Sequence, residues 1–138
     1  MGKRINAELS ESFNKPIDLI WRCFTEPKDI VKWFSISENY YCSFAFNSLK
    51  VGETFMYRMS PKDQGISFDI EGRFKEIILN NLIVCTQGNT ILTIYFNQRD
   101  DSTEMRIHID YDPEDEYGDM SFIWKSLLSN FKLYINNM

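Results

Sequence analysis

Histidine is all but missing from this 138-residue chain, which carries His108 alone. A paired-histidine metal site is thereby excluded, as is a relay of several imidazoles. Cysteine is scarce as well, since Cys23, Cys42 and Cys85 stand far apart with no Cys-x-x-Cys pair. An odd, scattered trio argues against a disulfide framework and against structural zinc. No run of about 18 apolar residues is present to span a bilayer. The opening Met1-Gly-Lys-Arg-Ile-Asn-Ala-Glu turns polar at once, so no secretory leader is expected. Asn-x-Ser/Thr acceptors, a Gly-rich phosphate loop and a Ser-His-Asp order are all lacking. The expectation is a protein of the reducing cytoplasm that carries no cofactor.

Positive charge is also short. The net charge is −5, and Asp110, Asp112, Glu114, Asp115, Glu116 and Asp119 form an acidic stretch with no Lys or Arg in it. Setting those six aside leaves 14 acidic against 15 basic residues, a nearly neutral body. Nothing here resembles the basic footprint that displaces counterions from phosphate, so no nucleic-acid partner is expected.

What the chain does have is apolar and aromatic material: 43% hydrophobic residues, with eleven Phe and seven Tyr. A single domain over 1–138 fits this length, and such a chain buries roughly 68–70% of its unfolded surface. Ile5, Ala7, Leu9 and Phe13 alternate with polar residues as a half-buried strand does. Pro16 suits the first turn of a helix, and Ile17, Ile20, Trp21 and Phe24 then form one apolar stripe. Thr25 is the expected N-cap of a second short helix with Pro27 in its first turn and Ile30, Val31, Trp33 and Phe34 on its buried side.

Strands are predicted next at Tyr40 to Phe46, Thr54 to Met59, Ile66 to Phe74, Leu82 to Thr86 and Ile91 to Phe96, with a last one carrying Met105, Ile107, Ile109 and Tyr111. Val51-Gly52-Glu53, Asn80-Asn81, Gly88-Asn89 and the run Arg99 to Ser102 supply turns between them. Short turns between successive strands imply an antiparallel meander with one wet face. From about Tyr117 to Ile135, Met120, Trp124, Leu127, Leu128, Phe131 and Ile135 make a wide apolar stripe. A helix so apolar must lie in the concave side of the sheet. The fold class is therefore α+β.

Candidate chemistry is thin. Asp110, Asp112 and Glu114 match positions 1, 3 and 5 of a calcium loop, but Asp115 and Ser121 stand where that loop needs Gly and Glu. Carboxylates starting the last helix, at Asp112-Pro113 or its neighbours, are the preferred account. His108 shares the polar face of its strand with Arg106 and Asp110, which places it away from any cavity. Glu11 falls on an apolar face and could polarise a ligand, or the strand could bend there and let it reach water, which is the preferred account. Glu11 with Tyr57 or Tyr95 is the one acid–base pair that can be assembled.

Several segments resemble a known family. Pro16…Trp21…Thr25-Glu-Pro27…Ile30…Trp33 is similar to the opening signature of the activators of heat-shock-protein-90 ATPase and their homologues. These belong to the START-like, polyketide-cyclase-related (SRPBCC) superfamily with the helix-grip fold. Lys50-Val51-Gly52-Glu53, Gly72-Arg-Phe74-Lys-Glu76-Ile77, Thr103-Glu-Met105 and Trp124…Leu128…Phe131-Lys132…Tyr134-Ile135 resemble later segments of the same family in the same order. The resemblance implies a β-α-α-β6-α domain whose sheet of about seven strands grips the C-terminal helix around a hydrophobic cavity.

Function is not fixed by such a fold. The leading expectation is a non-catalytic module for a small apolar or aromatic molecule, lipid or polyketide-like. Its cavity is expected from Trp33, Phe46, Tyr57, Phe68, Phe74, Ile94, Ile107, Trp124, Leu128 and Phe131. A chaperone-associated module with a protein partner is the second reading, and a cyclase-like enzyme the third.

Overall fold

The computed structural model describes residues 3–115 and 117–138; Met1, Gly2 and Glu116, the last a member of the acidic stretch, lie outside the described residues. Strand β1 (Ile5–Phe13) leads into helices α1 (Ile17–Thr25) and α2 (Pro27–Trp33). Six strands follow: β2 (Tyr40–Asn47), β3 (Thr54–Pro61), β4 (Phe68–Ile78), β5 (Leu82–Gln87), β6 (Thr90–Arg99) and β7 (Ser102–Tyr111). Helix α3 (Met120–Asn136) closes the order. Strands β2 to β7 form an antiparallel meander, and β1 adds to β7 so that the sheet reads β1-β7-β6-β5-β4-β3-β2. The sheet curls into a half-barrel, the helix-grip arrangement.

Local chemistry explains the boundaries, including three that differ from the sequence reading. Pro16 is the extended N-cap of α1, outside the first turn, with its carbonyl accepting from Leu19 and Ile20. Thr25 does not cap α2. It ends α1, its hydroxyl donating to the Trp21 carbonyl at 2.7 Å. Glu26 is at once the C-cap of α1 and the N-cap of α2. Pro27 at the first position of α2 disfavours helical backbone in the residue before it, and Glu26 is extended at φ −81° and ψ 131°. The last helix begins at Met120, three residues later than expected. Gly118 holds φ +66°, which breaks helical backbone, and the Asp119 carboxylate caps the helix by accepting from Phe122 N at 3.2 Å. Asp112 starts no helix, since its carboxylate accepts from Glu114 N in a turn.

The inner face of the sheet takes Phe55, Tyr57 and Met59 from β3, Leu92, Ile94 and Phe96 from β6, and Met105, Ile107 and Ile109 from β7, all buried. Trp124, Leu127, Leu128, Phe131 and Ile135 of α3 pack against them. Helices α1 and α2 cover the rest, and Tyr134 ties α3 to α2 by donating to Asp29 Oδ1 at 2.6 Å. The alternation read from the sequence holds in β7, and β6 alternates in the same way. It breaks in β2, where the register shifts between Cys42 and Phe44. One extra residue turns every later side chain to the other face, so Phe46, paired with Met56, is half exposed on the convex side.

Candidate functional site

Two small voids lie between the concave face and the helices. The first, of about 30 Å³, is walled by Phe55, Tyr57, Phe74, Ile83, Cys85, Leu92 and Ile94 from the sheet and by Phe24, Trp33, Phe34 and Trp124 from the helical side. The second, of about 40 Å³, lies among Phe68, Ile70, Tyr117, Met120, Ile123 and Leu127. Phe34, Gln87 and Trp124 border both, so three side chains divide one interior space in two. A void of ~10–15 Å³ holds a water, while small-molecule pockets run to roughly 300–1,000 Å³. Aromatic side chains have thus narrowed the expected hollow to its last gaps.

Of the ten residues expected to line the cavity, Trp33, Tyr57, Phe74, Ile94 and Trp124 border the first void, and Phe68 borders the second together with Trp124. Ile107, Leu128 and Phe131 are buried in the core without bordering either. Phe46 is on the outside, for the reason given above. Residues the sequence reading passed over are Phe24, Phe34, Asn47, Phe55 and, above all, Gln87.

Polar groups in the wall are few, and most are engaged among the described residues. Asn47 donates to the Thr25 carbonyl at 3.0 Å and to the Tyr57 hydroxyl at 3.4 Å, while its own carbonyl accepts from Leu49 N at 2.7 Å. Trp33 Nε1 donates to the Cys23 carbonyl at 3.0 Å. Gln87 is 4% exposed, and its amide forms no hydrogen bond among the described residues. The position was legible: Ile83, Cys85 and Gln87 alternate onto the inner face of β5, which makes Gln87 the polar member of an apolar series.

Among the described residues, no carboxylate, amine or imidazole borders the first void. Burial pushes the Tyr57 phenol far above its usual range and the Cys85 thiol up to about 12, so both stay neutral. The Glu11 pair is not assembled. Glu11 sits on the edge strand, 3.1 Å from Lys132 Nζ, and Tyr95 lies on the outer face under the Arg106 guanidinium at 4.6 Å. His108 is on the outer face too, 3.0 Å from Asn6 Oδ1 and 3.7 Å from Glu8 Oε2. Among the described residues no three His, Cys, Asp or Glu converge on a metal position, and no helix is long and apolar enough to cross a membrane.

The cysteines give a direct check on how tightly this interior is closed. Cys23, Cys42 and Cys85 are free and buried, and in each the thiol is raised chiefly by desolvation. In mildly alkaline buffer the folded protein should therefore react with an aromatic disulfide reagent no faster than it unfolds. Denaturant should release all three thiols at once. Rapid labelling of any one in the folded state would show the interior to be more open than this.

Solved structures share this architecture over nearly their whole length. A protein from Cytophaga hutchinsonii is 30% identical, with a TM-score of 0.74, over 94% of this chain and 91% of that one. An AHSA1-like protein from Aeromonas hydrophila superposes with a TM-score of 0.83 at 20% identity, over 95% and 93% of the two chains. A protein from Nitrosomonas europaea gives the same score at 19% identity, over 96% and 95%. Among curated proteins no sequence matches the chain. The family model described as Activator of Hsp90 ATPase homolog 1-like protein matches residues 14–136, almost the entire span that builds the sheet, its covering helices and α3. The chain belongs to that family.

Proposed function

We propose that this domain is a binding module for a compact, largely apolar molecule that carries one hydrogen-bonding oxygen. The reading rests on Gln87. Its amide forms no hydrogen bond with the described residues, so its partner must be a water or a ligand in the void, where a leucine or methionine would fill the same space and need none. A hydroxyl or carbonyl arriving in the void would satisfy the amide, while the surrounding rings would bury the rest of the molecule at ~25 cal/mol per Å². Because the wall offers no group that ionises near neutral pH, the chemistry it supports is recognition rather than proton transfer. The ligand must also make room. Trp124 borders both voids, and rotation of its indole would join them into one elongated space.

Phenol and toluene are a matched pair for testing this, equal in shape and different in one hydroxyl. Titrations followed by amide NMR should show phenol shifting residues of β5 and the N-terminal half of α3, with toluene at least about tenfold weaker, the equivalent of roughly 1.4 kcal/mol. Gln87→Leu should reverse that order and raise the stability of the free protein. If neither compound perturbs the interior, the binding reading falls. If both bind equally and Gln87→Leu changes nothing, the interior binds but Gln87 is not its anchor.

A further inference from the structure

A second concave surface lies outside the interior, between α2 with the loop after it and the exposed side of α3, enclosing about 850 Å³. On α3 the residues Phe122, Ser126, Ser129 and Leu133 follow one another at helical spacing along its floor. Phe122 and Leu133 are 68% and 63% exposed, three turns apart, about 16 Å. Between them the two serines leave the floor low, so an incoming side chain can approach the helix closely. Lys32, Lys62 and Lys125 stand around this groove, and among the described residues Glu38 is the only acidic one in its wall.

The charge is what singles it out. On a chain of net charge −5, this surface has the opposite sign. Like Lys3, Lys15, Arg22, Lys50, Arg73 and Lys75, the three groove lysines have no ion pair among the described residues; what sets them apart is that they share one concave surface. We infer that the groove docks an acidic, amphipathic segment of a partner protein, with carboxylates meeting Lys32, Lys62 and Lys125 and an apolar side chain lying between Phe122 and Leu133. Exposed lysines contribute to steering and register more than to affinity, and the apolar floor supplies the affinity. This surface is separate from the proposed interior site, although Trp33 forms part of both walls.

The probe is a helical peptide of about 12 residues, long enough to span the floor, built from Glu and Leu with the leucines on one face. A second peptide replaces every Glu by Lys. The acidic peptide should bind in low salt and shift amides from Phe122 to Leu133, and binding should weaken as salt screens the lysines. The Lys peptide should not bind. Reversing Lys32, Lys62 and Lys125 together to Glu should weaken the acidic peptide by about tenfold or more and admit the Lys peptide. All three residues are exposed, so the variant should melt near the parent temperature. A second variant, Leu133→Ser, should weaken the acidic peptide with the charges intact. Indifference to charge reversal, or no binding at millimolar peptide, overturns the inference. So does capture of anionic phospholipid vesicles through the same lysines in preference to the peptide, or a self-association that charge reversal abolishes.

Discussion

Phe131→Ala should lower the stability of this domain by about 4 kcal/mol, and its Tm by roughly 12–16 °C. The ring is fully buried and meets three others edge-on: Phe13 at 5.3 Å, Phe24 at 5.4 Å and Trp33 at 4.8 Å between centroids. Those partners come from β1, α1 and α2, so this one side chain of α3 is where the sheet edge and both short helices are gripped. Aromatic walls of this kind collapse poorly, and the space left by the ring stays as a cavity, which is the expensive outcome of a large-to-small change. Chemical denaturation of the variant measures the loss. The control is Phe122→Ala on the same helix, where the ring is 68% exposed and the change should fall within about 0.5 kcal/mol. Phe131 borders neither void, so the comparison reports on the grip itself and not on ligand binding. A loss below about 1.5 kcal/mol would mean that α3 is held elsewhere.

How far the sequence could be read is decided by where each residue sits in the sheet. Met105, Ile107, Ile109 and Tyr111 alternate in a strand paired on both sides, and all four are buried as read. The α3 stripe was equally plain, because Trp124, Leu128, Phe131 and Ile135 recur at helical spacing. Phe46 was misplaced because a one-residue bulge leaves no mark in the alternation of β2, where aromatic side chains occupy both faces. Glu11 and Gln87 are the instructive contrast. Each is a polar residue on an apolar face, but the counting that found Glu11 stopped at Thr86 and passed over Gln87. Glu11 belongs to edge strand β1, where α3 brings Lys132 within 3.1 Å and water is close. Gln87 belongs to β5, in the middle of the sheet, with β4 and β6 on either side and no partner within reach among the described residues. Strand order, which the sequence does not state, separates a rim ion pair from an interior anchor. The narrowness of the voids was illegible for a similar reason: the number of aromatic residues says nothing about whether they leave space or fill it.

Gly72→Ala should cost about 3 kcal/mol although it adds a single methyl group, and it should disturb the interior site as well. A Cβ on Gly72 would come within 2.2 Å of Phe55 Cζ and 2.4 Å of the Thr86 carbonyl oxygen. The first neighbour is a ring buried against Tyr57 and Phe74, and the second is backbone of β5, so neither yields freely. Glycine is required here for space and not for backbone freedom, in contrast to Gly52, whose φ of +88° is its constraint and whose added Cβ would meet nothing within 4 Å. Relief should follow the same geometry. Phe55→Leu in the Gly72→Ala background removes the ring atoms that clash but leaves the Thr86 contact, so the double variant should recover part of the loss, with a coupling of about 1 kcal/mol or more. Thr86 directly precedes Gln87, and a strand pushed aside at its carbonyl re-aims the amide that would receive the ligand's oxygen. Phenol should therefore lose its advantage over toluene in Gly72→Ala, while Gly52→Ala retains it. Full stability in Gly72→Ala, or an unchanged preference for phenol, would show that Phe55 and β5 have more freedom than their packing implies and that the interior can remodel without help from Trp124.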